Sequence, residues 1–525
     1  MDDATLFAAN PRLNRLLHSV VQEVRRFAED QINQIQQLTR IGIALSAEKD
    51  IKKLLDLIVD QAMEFTHADA GTLYTVDTEA NCLRFEILKN LSLKTHLGGK
   101  GGAEITLPPV PLEVDGRPNL SNVSSYVALK GEMVNIPDVY EAEGFDFTGP
   151  KKYDAQTGYR SRSMLVVPMK NHQNEIIGVL QLLNAQDPRT GEVIPFAPEY
   201  ENLVLSLASQ AAVALENAEL IQSLKELFEA FIRSIATAID EKSPYTGGHI
   251  RRVTELTMMI AQKINEATEG PFAGVHFTED ELEELRIAAW MHDVGKITTP
   301  EYVIDKSRKL ETLLDGIELV KARFDLIRQL KEKAFLERKL ELVQNGRADA
   351  EALRQLDASH QAELAELEEE KAFVVACNSP EEYMDEDKLK RLQAIARKTY
   401  HLDGQEHPYL TEKEVHYLSV RRGTLTEEER QIIQNHAWMS IKILEQLPFP
   451  RKLARVPEYA GGHHEKLDGS GYPRGLTGEQ LPLQARIMAL ADIFEALTAQ
   501  DRPYKAPMKL SKAVEILRSM CRANH

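Results

Sequence analysis

The sequence predicts a multidomain protein in which an α+β domain is followed by an all-α domain. Its 525 residues are too many for a single hydrophobic core. Short β-like segments separated by Gly, Pro and Asn, among them GTLYTV, SMLVVPM and IIGVLQLLN, fill residues 50–195. From about residue 230 onward, apolar residues recur at helical spacing. This change of periodicity indicates where one fold class gives way to the other.

The composition is that of a globular protein with an acidic surface. The formal net charge of -18 argues against broad binding to nucleic acid polymers or anionic membranes. The sequence contains no run of 18 apolar residues, and its start lacks the apolar centre of a signal peptide. Three dispersed cysteines without a CxxC spacing predict reduced thiols rather than disulfides or a thiolate metal site. We therefore expect a cytoplasmic protein with no membrane partner.

Two long helices are predicted on either side of the α+β domain. An N-terminal helix covers residues 1–40, with an apolar stripe that begins near residue 11. A connecting helix over 199–235 contains no Pro or Gly, and it leaves the first domain at 41–218 and enters the second at 230–525. Both helices would expose apolar surface in a monomer, so we expect a parallel homodimer in which they pair.

A highly charged insertion interrupts the all-α domain at residues 306–422. Its apolar residues follow a spacing of three and four up to Asn345-Gly346, a turn signal, after which a second charged helical run begins. The pattern predicts an antiparallel helical arm. We expect it to be a solvated hairpin used for dimer contacts rather than a second catalytic element.

Histidines and aspartates cluster in the all-α region, next to glycines and predicted helix ends. The clustered residues are His249, His292, Asp293, His436, His463, His464 and Asp492. A lone histidine is more often structural than a ligand, but adjacent His-Asp and His-His pairs favour a metal site. Neutral imidazoles and an ionised aspartate suit two first-row transition metals, which is a standard arrangement for phosphoester hydrolysis. The residues thus indicate metal-assisted hydrolysis.

Two motifs in this region resemble those of a known family. Residues 292–296 read HDVGK and match HDxGK, the signature of the HD phosphohydrolase superfamily. Residues 463–473 read HHEKLDGSGYP and match HHExxDGxGYP, the signature of its HD-GYP branch, at every specified position. The resemblance covers roughly 230–305 and 422–515, and it skips the arm. HD-GYP proteins linearise cyclic di-GMP to pGpG, some continue to GMP, and their two- or three-metal clusters often contain iron or manganese.

The resemblance implies a role for each matching residue. The implied metal ligands are His249, His292, Asp293, His436, His463, His464 and Asp492, with Asp293 as the bridging, catalytic carboxylate. The implied substrate contacts are Lys296, Arg502 and Lys505 to phosphate, with Lys296 also catalytic, and Asp468, Gly469, Gly471 and Tyr472 around the base pocket. For this last set and Pro473, a purely structural loop explains the sequence equally well, because Gly permits close approach and Pro fixes the turn. We therefore expect these residues both to shape the loop of His463 and His464 and to flank the base pocket.

The expected number of metal ions depends on one departure from the family pattern. Members with three metals commonly carry Glu four residues before the first motif histidine, whereas this chain has Tyr245 there. A neutral phenol is a poor ligand for a divalent ion. We therefore expect two divalent transition-metal ions per chain, iron or manganese.

Residues 41–218 resemble a GAF domain, on the strength of the strand pattern, TGYRSRSMLVVP and IGVLQLLN. Ala185 and Tyr200 stand where cyclic-nucleotide-binding GAF domains carry Lys and Asp. The resemblance therefore implies a regulatory domain for an unidentified small ligand, with a purely dimerising domain as the alternative. Neither His67 nor His96 lies in a haem-ligand setting, so both are expected to be structural.

Three functions follow from this reading of the sequence. The leading one is a cyclic di-GMP phosphodiesterase controlled by the GAF-like domain. A non-catalytic cyclic di-GMP receptor is the first alternative, although such receptors usually lack one or more motif residues. Hydrolysis of another cyclic dinucleotide is the second, because the motifs do not separate cyclic di-GMP from a mixed-base relative.

Overall fold

A computed structural model describes residues 11–242, 247–347, 349–499 and 508–523, with backbone alone for 11–14, 30 and 34. The chain divides into two compact units, with the boundary between Leu227 and Phe228. Among the helices of the described segments, none has the length and apolar character needed to cross a membrane.

The first unit is an antiparallel sheet with helices, as the sequence predicts. The strands pair in the order β3-β2-β1-β9-β8-β7, with β4 beside β2, β10 beside β9, and a separate β5-β6 pair. The strands are β1 Ala68–Asp77, β2 Cys82–Asn90, β3 Thr95–Gly98, β4 Val110–Pro111, β5 Glu113–Val114, β6 Arg117–Pro118, β7 Val134–Ile136, β8 Met164–Lys170, β9 Ile176–Gln186 and β10 Val193–Ile194. The helices are α1 Pro11–Ala47, α2 Ile51–Thr66, α3 Val123–Lys130, α4 Thr148–Thr157 and the start of α5 Pro198–Asp240.

Both faces of this sheet are covered because its central strands are apolar at successive positions. Leu165 and Val167 of β8 lie in a core with residues of α1, α2 and α5. Met164 and Val166 point to the opposite face, where they pack with Val127 of α3. The two-residue alternation of a strand thus supplies two cores.

The second unit is built mainly of helices. They are the end of α5, α6 His249–Asn265, α7 Glu279–Met291, α8 Glu301–Ile304, α9 Ile317–Gln344, α10 Ala350–Cys377, α11 Glu386–Ala396, α12 Glu412–Leu418, α13 Glu427–Leu444, α14 Val456–Gly461, α15 Leu483–Thr498 and α16 Leu510–Arg522. Helix α5 contributes Leu215 to a core of the first unit, and Ile232 and Ala236 to the core of the second.

The predicted helical arm is present as α9 and α10. Lys339 on α9 pairs with Asp357 on α10 at 2.8 Å, and Lys371 on α10 pairs with Asp325 on α9 at 2.6 Å. Because residue numbers rise along one helix as they fall along its partner, the two are antiparallel. The base of the arm has a hydrophobic core of its own, centred on Phe324 and neighbours from both helices.

The all-α expectation for this region omitted one small element. The strands β11 Thr399–Leu402 and β12 Gln405–Pro408 form an antiparallel hairpin within the insertion. Its turn consists of Asp403 and Gly404, both with positive φ, at 52° and 77°. These are the residues and conformations of a two-residue hairpin turn.

One buried ion pair ties the start of the insertion to α13. Nζ of Lys306 lies 2.7 Å and 2.8 Å from the two carboxylate oxygens of Glu429. Glu429 also accepts a hydrogen bond from the backbone N–H of Thr426, which completes the capping box at the start of the helix. The insertion is therefore anchored to a helix that carries one of the predicted ligands.

Candidate metal centre

Five helices of the second unit bring the predicted ligands together. The ligands are His249 at the start of α6, His292 at the end of α7 with Asp293 after it, His436 in α13, His463 and His464 after α14, and Asp492 in α15. Five of the seven residues are buried. Burial of so many ionisable groups is costly unless they are paired or hold a metal ion.

The carboxylate of Asp293 lies at the centre of this cluster. Its Oδ2 is 3.4 Å from Nε2 of His292 and 3.7 Å from Nε2 of His249. Its Oδ1 is 3.4 Å from Nε2 of His436 and 3.9 Å from Nε2 of His463. The two oxygens of one carboxylate thus face two different pairs of imidazole nitrogens. A carboxylate that bridges two cations requires this arrangement.

The ligand atoms form two groups, within each of which they lie no more than 4.8 Å apart. The groups are His249, His292 and Asp293, and His436, His463 and His464. Asp492 adds a second carboxylate to the first group, since its Oδ1 is 3.3 Å from Nε2 of His249. In the second group, Nε2 of His464 is 3.2 Å from Nε2 of His436. Imidazole and carboxylate together form a donor set suited to iron, manganese or zinc.

Three of the imidazoles are oriented by the same backbone contact. Nδ1 of His292 donates to the carbonyl oxygen three residues earlier at 2.7 Å, and Nδ1 of His463 does so at 2.5 Å. His436 makes the equivalent contact with the carbonyl of Ile433. A proton on Nδ1 leaves the lone pair on Nε2, which is the nitrogen that faces Asp293.

His249 is oriented by a carboxylate instead. Its Nδ1 lies 2.5 Å from Oε2 of Glu495, and the Nε of Arg252 donates to Oε1 of the same carboxylate at 2.8 Å. Burial lowers the pKa of His249, but Asp492 and Glu495 outweigh that effect and raise it to about 9. Sequence reasoning missed Glu495, although its position three residues after Asp492 puts both carboxylates on one face of α15.

Unsatisfied buried atoms test whether these residues fit a metal. Among the described residues, six buried side-chain nitrogen or oxygen atoms lack a hydrogen-bond partner, and three of the six are Nε2 of His292, Nε2 of His463 and Oδ1 of Asp293. Such atoms are rare in folded proteins because each one costs free energy. All three point into the same cluster, and all three are lone-pair donors. The residues therefore fit divalent cations.

The protonation states of His463, His464 and Asp293 agree with that conclusion. Burial lowers the pKa of His463 well below its usual value, and it lowers the pKa of His464 to about 3. Burial alone would raise the pKa of Asp293, but the charge of Lys296 and the neighbouring imidazoles hold it well below its usual range. Neutral imidazoles and an ionised carboxylate are the forms that bind metals.

The glycine of the HDVGK motif allows the motif to approach α13 closely. A Cβ on Gly295 would lie 1.9 Å from the carbonyl oxygen of His436 and 2.6 Å from the backbone nitrogen of Ser440. The hydroxyl of Ser440 accepts from the N–H of Gly295 at 2.9 Å and donates to the carbonyl of His292 at 2.8 Å. These contacts hold the segment of His292 and Asp293 against α13, the helix that carries His436.

The loop at residues 463–473 is held by its own glutamate and glycine. The carboxylate of Glu465 accepts from the backbone N–H groups of Arg474 at 2.7 Å and Leu476 at 2.8 Å. A Cβ on Gly471 would lie 2.3 Å from the backbone nitrogen of Lys466, so only glycine fits there. The motif residues Glu465 and Gly471 therefore shape the loop.

The remaining predicted residues lie in different settings. The ring of Tyr472 stacks on the ligand His464, with ring centroids 4.7 Å apart. Nζ of Lys296 lies 2.6 Å from Oδ2 of Asp293. Asp468 is exposed and accepts a hydrogen bond from the N–H of Ser470, two residues later.

Gly469, in the same turn, has a φ of 77°. Arg502, Lys505 and Tyr245 lie outside the described residues. A substrate contact for Gly469, Arg502 or Lys505 stays a prediction, and so does the two-metal count that depends on Tyr245.

Family models match three stretches of the chain. A model described as GAF domain matches residues 50–215, and two models described as HD domain match residues 246–396 and 411–525. The first stretch falls in the unit with the sheet, and the other two contain the histidine cluster.

Curated relatives match over a shorter stretch. A Vibrio cholerae protein named 3'3'-cGAMP-specific phosphodiesterase 3 is 48% identical over 95 residues, 18% of this chain and 20% of the relative. A probable cyclic di-GMP phosphodiesterase from the same organism is 42% identical over 106 residues, 19% and 23% of the two chains. A cyclic di-GMP phosphodiesterase from Thermotoga maritima is 40% identical over 101 residues, 19% and 27%. The matched stretches thus span between 20% and 27% of these relatives.

Proposed function

We propose that this chain, in which a GAF domain is followed by an HD domain, is a metal-dependent phosphodiesterase that opens a cyclic dinucleotide. Cyclic di-GMP is the leading substrate and linear pGpG the leading product, with onward cleavage to GMP as the alternative. The observation that carries the proposal is Asp293, whose two oxygens face separate pairs of histidine nitrogens. Relatives named cyclic di-GMP phosphodiesterases support the choice of substrate.

We infer two divalent ions per chain, iron or manganese. Residues of the two ligand groups would hold one ion each, with Asp293 shared between them and Asp492 joining the first. When bound, such ions supply Lewis acidity toward a phosphodiester and a water activated at neutral pH. The tautomers set by the Nδ1 contacts of His292 and His463 present the nitrogen that this binding needs.

The chain itself supplies charge and shape around the reacting phosphate. The side chain of Lys296 is 25% exposed while its Nζ touches Asp293, so the cation lies at the rim of the cluster. There it can bind a phosphate oxygen and stabilise the negative charge that develops in the transition state. The ring of Tyr472, stacked on His464, forms an aromatic wall beside the cluster on which a nucleobase can pack. Arg502 and Lys505 are proposed as further phosphate contacts, as is base-pocket contact by Asp468, Gly469 and Gly471.

Two relatives support 3'3'-cGAMP as a second candidate substrate. Two Vibrio cholerae proteins named 3'3'-cGAMP-specific phosphodiesterases are 48% and 49% identical to this chain over about a hundred residues. Incubation of anaerobically prepared, metal-analysed protein with equal concentrations of cyclic di-GMP and 3'3'-cGAMP separates the two candidates. Faster loss of cyclic di-GMP supports the leading substrate, and faster loss of 3'3'-cGAMP supports the mixed-base alternative. Binding of either without turnover would make the chain a receptor.

One cavity in the first unit suits an uncharged regulatory ligand. It has a volume of about 310 Å³ and is lined by aromatic rings, including Tyr74, Phe85 and Tyr159. The Gln181 side-chain oxygen in its wall accepts from the hydroxyl of Tyr74 at 3.2 Å. The lining lysine, Lys89, is held by Asp56 and Asp60 at 2.8 Å and 2.7 Å. A ligand with a phosphate group would have to displace one of these ion pairs, which disfavours a cyclic nucleotide.

We also propose that two copies of the chain pair in parallel through α1 and α5. Val24 and Phe27 on α1 are 61% and 67% exposed, and Leu220 and Leu224 on α5 are 54% and 65% exposed. Each pair is spaced by three or four residues and so forms a stripe on one face of its helix. Burial of these stripes against a second copy would remove apolar surface from water.

A further inference from the structure

Helix α5 ends beside the turn that carries Lys296. Its last residue is Asp240, and Lys242 lies two residues beyond it. Nζ of Lys242 donates to the backbone carbonyls of Lys296 at 3.1 Å, Ile297 at 2.7 Å and Thr299 at 2.7 Å. An ammonium group has three protons. The Lys242 ammonium therefore directs its full donor capacity to one turn of the chain.

That turn is the 3₁₀ helix Val294–Thr298, which follows Asp293 directly. The carbonyls at the end of such a helix lack partners within the helix, and a cation placed there satisfies them and interacts favourably with the helix dipole. The N–H of Thr299 donates to the carbonyl of Lys296 at 3.0 Å. One carbonyl thus accepts from both Thr299 and Lys242, so loss of the lysine weakens the closure of the turn.

The same helix end also reaches the first predicted ligand. Burial raises the pKa of the Asp240 carboxyl, and the nearby backbone N–H groups of Ile250 and Gly248, which flank His249, act in the opposite direction. Asp240 and Lys242, at the end of α5, therefore lie beside the two segments that carry His249 and Lys296.

We propose that Lys242 is a positioning residue that holds the 3₁₀ turn, and with it Asp293 and Lys296, in the geometry that hydrolysis requires. The inference rests on the proposed function, because it concerns how the residues of that site are held. Lys242 does not touch the reacting phosphate. It acts through the backbone of Lys296, whose ammonium reaches Oδ2 of Asp293 at 2.6 Å.

The test compares Lys242→Met with wild type in the full chain. Methionine keeps the apolar stem and removes the three donors. Hydrogen exchange followed by mass spectrometry should show amides in 294–299 exchanging about tenfold faster or more, with peptides over 456–464 unchanged. The kcat for cyclic di-GMP should fall about ten- to a hundredfold with KM and bound metal unchanged, because small displacements at a reacting centre are costly.

Two further variants sharpen the comparison. Glu241→Gln changes an exposed neighbour in the same turn of chain, and it should leave both exchange and kcat at wild-type values. Lys242→Arg keeps the charge and the donors, and it should recover part of the lost kcat. A cap that matters only for folding would not give a kcat loss at constant metal content with rescue by arginine.

Each outcome decides the proposal. Unchanged exchange in 294–299 overturns it, whatever the activity, and so does faster exchange with an unchanged kcat. Loss of bound metal together with rate overturns it as well, because Lys242 would then support the cluster as a whole. If wild type turns over no cyclic dinucleotide, the proposed function fails, and the exchange result alone decides whether Lys242 holds the turn.

Discussion

Nδ1 of His249 and Oε2 of Glu495 form a 2.5 Å hydrogen bond across two helices of the second unit, α6 and α15. Arg252, one turn after His249, binds the other oxygen of the same carboxylate. The hydrogen bond at Nδ1 thus orients the imidazole so that its Nε2 faces Asp293 and Asp492. A carboxylate in this position orients a ligating histidine and raises its basicity.

We expect Glu495→Gln to weaken metal binding about ten- to a hundredfold, because the amide supports His249 less strongly than the carboxylate does. Titration of metal-free protein with manganese measures the effect. Glu255→Gln is the matched control, since Glu255 lies on α6 in an exposed pair with Arg251. Equal affinities for Glu495→Gln and wild type would contradict a role for Glu495 in supporting His249 as a ligand.

Substitutions of Asp293 and of Lys296 should have different effects on metal binding and on turnover. We expect Asp293→Ala to lose both bound metal and hydrolysis, because one carboxylate faces both groups of ligands. Lys296→Ala should keep its metal and lose rate about a hundredfold, which corresponds to roughly 3 kcal/mol of transition-state stabilisation. Metal analysis and initial rates on the same preparations check this. Equal loss of metal in the two variants would assign Lys296 a structural role.

Gly295→Ala tests the close approach of the HDVGK motif to α13. The added Cβ would lie 1.9 Å from a backbone oxygen, so the helix must move. We expect a loss of about 3 kcal/mol or more in the free energy of unfolding, together with loss of bound metal. Gly274→Ala is the control, because a Cβ there meets nothing within 4 Å. Similar denaturation curves for the two variants would contradict the packing described.

Dimerisation through α1 can be tested by introducing negative charge on its exposed apolar stripe. We expect wild type to be a dimer in light scattering, and Val24→Glu combined with Phe27→Glu to be a monomer, because buried carboxylates would oppose pairing. Leu91→Glu alters a residue that is also exposed, at 65%, but lies outside both stripes. This control should remain dimeric. An undiminished dimer in the double variant would favour the arm as the contact.

The sequence predicted the ligand cluster because adjacent His-Asp and His-His pairs within long motifs are specific. It missed Glu495, since a single glutamate on a helix has many uses until His249 is seen beside it. The hairpin in the insertion had a local signal, the turn dipeptide Asp403-Gly404, that the dominant helical pattern concealed. Lys242 had no signal, because its three acceptors lie more than fifty residues away.

The most direct test of a dinuclear phosphodiesterase counts metal and identifies product in one preparation. Protein purified without oxygen is analysed for iron and manganese, then incubated with cyclic di-GMP, and the products are separated by chromatography. We predict close to two ions per chain and accumulation of pGpG, with Asp293→Ala giving neither. Three tightly held ions would contradict the dinuclear assignment. Intact cyclic di-GMP and intact 3'3'-cGAMP after incubation with fully metal-loaded protein would contradict the proposed activity.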